Sequence, residues 1–398
     1  MNLCALLGSG LAFRWVPPAA MGVWHTLLLA NSYLTVVRLG LINGMGRELP
    51  FALGRGDLGL AQRIAGTCLA YNLACSLLAG AAGLAAWAWL WPLGPAWRIA
   101  LPAMALVSAC NLHLTYLQAT FRSDSEFARL SQIQWLQAAV GATLPVLVFT
   151  LGFGGLCLHA ALQAAIVTAV AHRLRPLRVG PRFDWSLTRQ LLATGLPLFV
   201  AGYLQTLAAG FDRVILLRRG GVEAVGYFAP ALAVIAAMGI VPGAITTYVY
   251  PRMSYALGQG HENGALRRMA LLAGGASVLA GLPAAAAGWL AAPGLIERFF
   301  PQYLPSIPAV RWSLAAGLLW SLTPVVQVLG SLKAWRSLGL YVGLLLAMRW
   351  TLPWLLSRSH EPLEGVARGN TWAAAITGAA GLLLVYRATR PRLMESAP

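Results

Sequence analysis

Ionisable and amide side chains inside long apolar stretches are the residues of this sequence that could do chemistry. A charge inside a membrane is costly and usually faces a cavity or a partner. Arginine binds phosphate through paired hydrogen bonds, and amides suit sugar hydroxyls. We therefore predict a net-positive cavity for an anionic, hydroxyl-rich substrate. Its predicted cations are Arg38, Arg213 and Arg349; its glycan contacts are Asn111, His113 and Gln205; further lining residues are His25 and Asn31; and Asp212 is a candidate for ion coupling.

Each of these residues also has a structural interpretation. Arg38 lies near the end of its apolar run and can extend to lipid headgroups. Asp212 and Arg213 can form a local ion pair that caps a helix end. Single His and Asn residues in membrane helices are often interhelical hydrogen-bond partners. Arg349 is flanked by apolar residues on both sides, which favours a cavity role.

Most of the fifteen tryptophans lie near predicted span ends, as in an interfacial belt. Sugar stacking would need a tryptophan in the middle of a span. Trp135, Trp320 and Trp350 are the candidates, and Gln327 is a single polar residue on a nearby predicted span.

Motifs typical of enzymes and metal sites are missing from the sequence. There is no phosphate-binding glycine loop, no nucleophile motif and no pair of carboxylates at useful spacing. The six histidines and five cysteines are scattered without metal-ligand spacing. We expect no enzyme activity, no catalytic residues, no metal and no cofactor.

The elements that position these residues follow from composition. The chain has 398 residues, of which 58% are hydrophobic and 10% charged, whereas soluble proteins carry about 25% charged residues. This is typical of a multispanning membrane protein surrounded by lipids. The net charge of +17 falls mainly in short loops, so it indicates topology and not nucleic-acid binding.

A crossing helix needs about 20 apolar residues. The prolines at 102, 145, 197, 242 and 324 predict kinks or breaks within such helices. An apolar stub at 1–13 is too short to span. The eleven predicted spans are 18–42, 64–91, 98–121, 131–152, 154–172, 191–217, 224–250, 268–292, 307–332, 337–357 and 364–386.

Two parts of the chain resemble each other at an offset of 204 positions. The block at 52–56, ALGRG, recurs as ALGQG at 256–260, and Arg63 recurs as Arg267. We interpret the chain as two tandem copies of one unit. The stub then corresponds to a shortened first helix of a twelve-helix design, and our hypothesis is that the chain is truncated or starts late.

Basic loops alternate along the chain, and the more basic set is predicted to be cytoplasmic. The predicted organisation is an N-terminal lobe at 1–175, a cytoplasmic linker at 176–190, a C-terminal lobe at 191–386 and a cytoplasmic tail at 387–398. Both termini of the full-length design are then cytoplasmic.

Two segments carry a resemblance to a known family. The region GLINGMGRELPFALGRGDLGLAQR, 40–63, resembles the connection after the second helix of polysaccharide and O-antigen flippases. Residues 194–260 resemble the opening of the second half of those proteins. The most specific matches are GLP at 195–197, DR at 212–213, VGYF at 225–228 and PRMS at 251–254.

These flippases belong to the multidrug/oligosaccharidyl-lipid/polysaccharide exporter superfamily. The resemblance implies an all-α polytopic fold with about twelve helices in two six-helix lobes, working by alternating access. It implies flipping of undecaprenyl-pyrophosphate-linked oligosaccharide units across the bacterial inner membrane, for O-antigen, lipopolysaccharide or exopolysaccharide synthesis. A polysaccharide polymerase and chain-length machinery are the expected protein partners.

Three other functions remain open from the sequence. A drug exporter of the same superfamily would bind cationic compounds and should carry acidic residues in its lobes, whereas arginine exceeds Asp and Glu here. A flippase for lipid-linked peptidoglycan precursors is nearer in chemistry but would usually show extra helices. A membrane-embedded glycosyltransferase or ligase would need acidic catalytic residues and a sizeable outer loop.

Overall fold

The computed structural model describes residues 10, 12–89, 94–258, 263–332, 334–359 and 361–389, and within these ranges the regular structure is helical. A helix satisfies its own backbone hydrogen bonds where no water is available, so an apolar chain of this kind spans a membrane as helices. The predicted all-α class is confirmed. Contacts between residues divide the chain into unit 1, Met1–Leu207, and unit 2, Ala208–Pro398.

Unit 1 begins with a helix that continues as a 3-10 turn, Thr35–Arg38, before the chain turns at Leu39 and Gly40. The helices of unit 1 are α1 (Pro18–Leu34), α2 (Leu41–Gly54), α3 (Leu58–Trp89), α4 (Pro95–Ser123), α5 (Phe127–Gly141) and α6 (Leu144–Arg173).

Helix α7 (Trp185–Tyr227) runs across the boundary between the units. The helices that follow in unit 2 are α8 (Ala229–Met238), α9 (Ile240–Gly258), α10 (Asn263–Phe299), α11 (Ile307–Trp320), α12 (Thr323–Ser331), α13 (Trp335–Ser359) and α14 (Pro362–Ala388), with a 3-10 turn at Pro301–Ser306.

Nine helices of the described chain are long and apolar enough to cross a membrane, and α7, which is bent, makes a tenth. A further span is hidden in α5 and α6. Gly152 has a φ of 56° and interrupts α6, so the chain reverses there. His159 Nε2 donates to the Val140 carbonyl (2.9 Å) and Gln163 Nε2 to that of Gln137 (2.9 Å). Residues 127–151 and 153–173 thus form a helical hairpin, and the predicted pair of spans with a boundary at 153 is correct.

Most of the predicted proline breaks are present. Pro145 follows the break between α5 and α6, Pro242 follows the break at Gly239, and Pro324 follows the break between α11 and α12. Pro197 lies at a 57° bend in α7. Pro102 does not break its helix, since α4 is continuous from Pro95 to Ser123.

The ALGRGD segment acts as a helix stop followed by a helix start. Gly56 has a φ of +74°, its N–H donates to the Leu53 carbonyl (3.0 Å), and the Asp57 N–H donates to that of Ala52 (3.0 Å). This pair of bonds satisfies carbonyls that the helix end leaves open. Asp57 Oδ1 then accepts the Leu60 N–H (2.8 Å), which caps α3.

The two units show the same helix order. Gly54 ends α2 and Gly258 ends α9, at the repeat offset found in the sequence. Within the described residues, six spans follow one another from α7 onwards, and five precede them. This agrees with the predicted two lobes of about twelve helices. The shortened first helix of the prediction lies mainly in residues 1–9, outside the described residues, as does the tail from 390.

The division of the chain into lobes at 175 and 191 stays a prediction. In unit 1 the segment before α7 packs on α3, where the Arg182 N–H donates to the Gly66 carbonyl (3.1 Å). Contacts divide the chain later, after Leu207, so the predicted linker and the first part of α7 belong with unit 1.

Candidate functional site

A cavity of about 410 Å³ lies within unit 2, where two broken helices meet α13. The α8–α9 break and the α11–α12 break both open onto it. The lining residues are Ile235, Met238, Gly239, Pro242, Gly243, Thr246, Gly317, Trp320, Thr323, Gln327 and Arg349.

Arg349 supplies the charge of this cavity. It is only 9% exposed, and its guanidinium carbon lies 4.1 Å from the centre of the Trp320 ring. A guanidinium over an indole face is stabilised by the electrons of the ring, and arginine stays protonated in proteins. The cavity therefore contains a permanent positive charge, and the Trp320 ring orients the plane of the guanidinium that carries it.

The remaining polar groups of the cavity are neutral. Gln327, Thr246 and Thr323 reach it from α12 and α9, and Thr323 Oγ1 donates to the Trp320 carbonyl. Among the described residues that line it, none is acidic. The arrangement can bind an anion at Arg349 and hydrogen-bond hydroxyl groups beside it.

A second feature of unit 2 is an aromatic platform formed by Trp350 and Trp354 on α13. Their rings are 6.1 Å apart and nearly parallel, at 7°. The Arg219 guanidinium lies 4.1 Å from the Trp354 ring centre, and that of Arg358 lies 5.6 Å from it. Trp350 is 40% exposed. Arg219 therefore covers one face of Trp354, and the more exposed Trp350 beside it can stack against a sugar ring or another flat group.

Asp212 and Arg213 form a local ion pair in α7. Asp212 Oδ1 lies 3.6 Å from Arg213 Nε, and it accepts the Arg213 backbone N–H (2.7 Å). Asp212 is 2% exposed. The pair sits inside α7, well before the interruption at Gly221, where φ is 70°, so it does not cap a helix end.

The predicted site residues of unit 1 are dispersed over several helices. His25 and Asn31 are half-buried on α1, and Arg38 is half-buried at the end of the following 3-10 turn. Asn111 on α4 and Gln205 on α7 are exposed. Of the residues named from the sequence, Arg349, Trp320 and Gln327 line the unit 2 cavity. The roles assigned to the others stay predictions.

His113 is buried and belongs to a polar cluster. Its Nε2 lies 3.0 Å from His172 Nδ1, and its Nδ1 lies 3.4 Å from Asn72 Nδ2. Arg175 Nη1 lies 2.9 Å from His172 Nε2. These histidines look scattered in the sequence, because they are 59 positions apart and on different helices.

Thr246, Thr323 and the pairing of Trp354 with Trp350 were also missed, although Trp350 itself was a predicted candidate for sugar stacking. The four-residue spacing of the two tryptophans was a usable signal, because residues at i and i+4 share a helix face. The two threonines gave no usable signal in the sequence, since threonine is common in such helices, where its hydroxyl donates to a carbonyl of the same helix.

Comparison with known families gives a match over residues 67–308 to a family described as polysaccharide biosynthesis protein. A comparison with curated proteins gave no match.

Solved structures share the fold at low sequence identity. An inward-facing multidrug resistance MATE family transporter of the MOP superfamily aligns with a TM-score of 0.71 and 16% identity, over 98% of this chain and 96% of that chain. An outward-facing multidrug resistance MATE family transporter of the same superfamily aligns with a TM-score of 0.60 and 17% identity, over 96% of this chain and 92% of that chain.

A MOP superfamily transporter from Pyrococcus furiosus, whose structure is described as having a binding pocket of reverse polarity that suggests a different function, aligns with a TM-score of 0.58 and 17% identity, over 98% and 95%. These likenesses show that the chain has the fold of MOP-superfamily transporters.

Proposed function

Because the chain belongs to the polysaccharide biosynthesis protein family, we propose that it is a flippase for undecaprenyl-pyrophosphate-linked oligosaccharide units. It would act in the bacterial inner membrane by alternating access, in which two lobes of a repeat fold expose a central site to each side in turn. Surface polysaccharide, such as O-antigen or exopolysaccharide, would be the final product.

The buried Arg349 in the unit 2 cavity is the observation that carries this proposal. A pyrophosphate group is an anion, and arginine binds such groups through two parallel hydrogen bonds. The polar groups of Gln327 and Thr246 are suited to the hydroxyls of the first sugar. The polyprenyl tail would stay in the lipid, since it gains nothing from a polar cavity.

The Trp350–Trp354 platform supports a glycan substrate independently. A sugar ring has an apolar face that packs well on an indole, and the bordering Arg219 and Arg358 offer donors to its hydroxyls. A lipid-linked oligosaccharide has several sugars, so a second contact region beyond the anion site would suit it.

The charge of the cavity argues against export of cationic drugs. A cationic compound needs an acidic partner in a site of low dielectric, and the described residues that line this cavity include none. The structure from Pyrococcus furiosus is described as linking a reversed pocket polarity to a different function, and an arginine-based pocket here fits the same reasoning.

Complementation tests the proposal. The chain is expressed in a bacterial strain that lacks its own polysaccharide flippase, and surface polymer and accumulated lipid-linked repeat units are measured. We expect restored polymer and loss of the accumulated precursor. The variant Arg349→Gln should lose most of this activity at equal protein level, and Arg349→Lys should keep part of it, because lysine retains charge without the paired geometry.

The matched control is Arg336→Gln, which removes an exposed arginine from the same helix. Its activity should equal that of the wild type. Full activity of Arg349→Gln would remove the anion site from the proposal. If the purified protein transfers the glycan of the precursor to another molecule, and does not move the precursor across a bilayer, it is instead a glycosyltransferase or ligase.

A further inference from the structure

A chain of hydrogen bonds runs through unit 1 from the buried part of α3 to the end of α6. It links Asn72, His113, His172 and Arg175 at distances of 3.4, 3.0 and 2.9 Å. Asn72 is fully buried, and His113 is 9% exposed. Arg175 lies just beyond the last turn of α6. Polar groups therefore connect the interior of the unit with one membrane surface.

The direction of this chain follows from Arg175, which can only donate. Arg175 Nη1 lies 2.9 Å from His172 Nε2 and 3.5 Å from His172 Nδ1. The shorter contact makes Nε2 the acceptor, so Nδ1 carries the proton and donates to His113 Nε2 (3.0 Å). His113 then carries its proton on Nδ1 and needs an acceptor. The reverse direction would place two N–H groups against each other between His172 and Arg175.

Asn72 provides that acceptor. As placed, its Nδ2 faces His113 Nδ1, while its Oδ1 is buried and has no hydrogen-bond partner in the described structure. A half-turn of the amide presents Oδ1 to the His113 N–H, since the network decides the orientation of such groups. Thr67 Oγ1 and Ser76 Oγ, on the same helix, are also buried without a partner there.

We propose that the His113–His172 pair is a proton-binding site, and that uptake of one proton breaks its contact with Arg175. Hydronium at the membrane surface where α6 ends gives up the proton and becomes water. The proton adds to the lone pair of His172 Nε2, the atom that accepts from Arg175. The bond from His172 Nδ1 to His113 Nε2 survives this step.

The charged product is incompatible with the present position of Arg175. An imidazolium and a guanidinium in contact repel each other, and neither can accept a hydrogen bond. The other titratable groups around the pair are Tyr116, whose ring stacks on His113 at 6.0 Å, and the buried Cys68 near Tyr116. Both are neutral, so Arg175 is the group that must move.

Movement of Arg175 would loosen the segment at 174–184. That segment is otherwise attached to α3 by the Arg182 bond to Gly66 and the ion pair of Asp184 with Arg63. Because it leads directly into α7, protonation would change the attachment of α7 within unit 1. This inference does not depend on which substrate the protein carries.

Amide hydrogen exchange of the purified full-length protein in lipid nanodiscs tests the proposal without a transport assay. Exchange of 174–184 is compared with that of His172→Gln in the same buffer, at about pH 8 and about pH 4. The lower value lies well below the ordinary histidine pKa of about 6.5, because the Arg175 charge opposes uptake of the proton. Glutamine can accept from Arg175 and donate to His113, but it does not titrate. The comparison within one buffer removes the intrinsic pH dependence of exchange.

We expect equal exchange at the higher pH and several-fold faster exchange of the wild-type segment at the lower pH. Equal exchange of the two proteins at both pH values would overturn the proposal. The second variant is Arg175→Ala, which keeps its histidines. Its segment should exchange rapidly at both pH values, and a wild-type pH response in this variant would also overturn the proposal.

Discussion

Arg63 Nη2 donates to Asp184 Oδ2 over 2.6 Å and so joins α3 to the start of α7, 121 positions along the chain. Asp184 has a second role, because its Oδ1 accepts the Leu187 N–H (3.1 Å) and caps α7. One carboxylate therefore fixes both the beginning of α7 and its attachment to unit 1.

Replacement of Asp184 by Asn should remove the ion pair and keep the cap, since the amide oxygen can still accept. The hydrogen bond from Arg63 lowers the pKa of the Asp184 carboxyl below its ordinary value. The contribution of the ion pair to stability is therefore present at neutral pH. It is lost as the pH falls through the ordinary value of about 3.9 towards the lowered one.

The measurement is the thermal midpoint of the wild type and Asp184→Asn as a function of pH. We expect a lower midpoint for the variant at neutral pH and convergence of the two curves in acid. A constant difference at all pH values would show that the variant acts through the cap or through packing instead.

Gly44 is a point of close approach between α2 and α7 in unit 1. A Cβ added there would overlap the carbonyl oxygen of Leu191, and one added at Gly195 would overlap the carbonyl oxygen of Gly40. Small residues permit such contacts between membrane helices. Gly44→Ala should destabilise the protein by about 1–3 kcal/mol or more, the usual cost of overpacking.

Gly46→Ala is the matched control, because it lies on the same helix with no atom within 4 Å of an added Cβ. This variant should be neutral or slightly stabilising, since alanine favours a helix over glycine by about 1 kcal/mol. The yield of folded protein and the thermal midpoint are measured for both variants. Equal behaviour of the two variants would contradict the close contact.

The buried ion pair of Asp212 and Arg213 should show coupling in a double-mutant cycle. Asp212→Asn leaves the arginine charge without its compensating carboxylate, which is costly in a site of low dielectric. Arg213→Gln leaves the buried Asp212 carboxylate without its compensating arginine charge. We expect the double variant to be more stable than the sum of the two single losses predicts.

Thermal unfolding of the four proteins in the same lipid gives the coupling. Additive losses would show that the residues act separately, and would return Asp212 to the role of ion coupling that the sequence suggested. Normal substrate export by a stable double variant would exclude that role.

Trp320→Leu should weaken the function of the cavity less than Arg349→Gln does. The substitution keeps an apolar surface but removes the indole that lies over the guanidinium, an interaction of about 0.5–2 kcal/mol. We expect a several-fold rise in the substrate level needed for half-maximal export, with the maximal rate largely kept. A maximal rate that collapses at equal protein level would mean that Trp320 has a direct role in transport.

The helices and many of their ends were predictable from the sequence because they depend on neighbours along the chain. Apolar runs require helices in a membrane, prolines at 145, 242 and 324 mark breaks, and Gly56 with Asp57 forms a stop and a start from residues next to each other. The isolation of Arg349 among apolar residues was also visible, and its burial follows from it.

The partners of the polar side chains were decided by the tertiary structure alone. Arg349 meets Trp320, and His113 meets His172, through contacts between different helices. These helices are rich in Ala, Leu and Gly on all sides, so their sequences contain no polar face to indicate which side turns inward. The rotation of each helix about its axis is set by packing against its neighbours, and that rotation determines which polar groups meet.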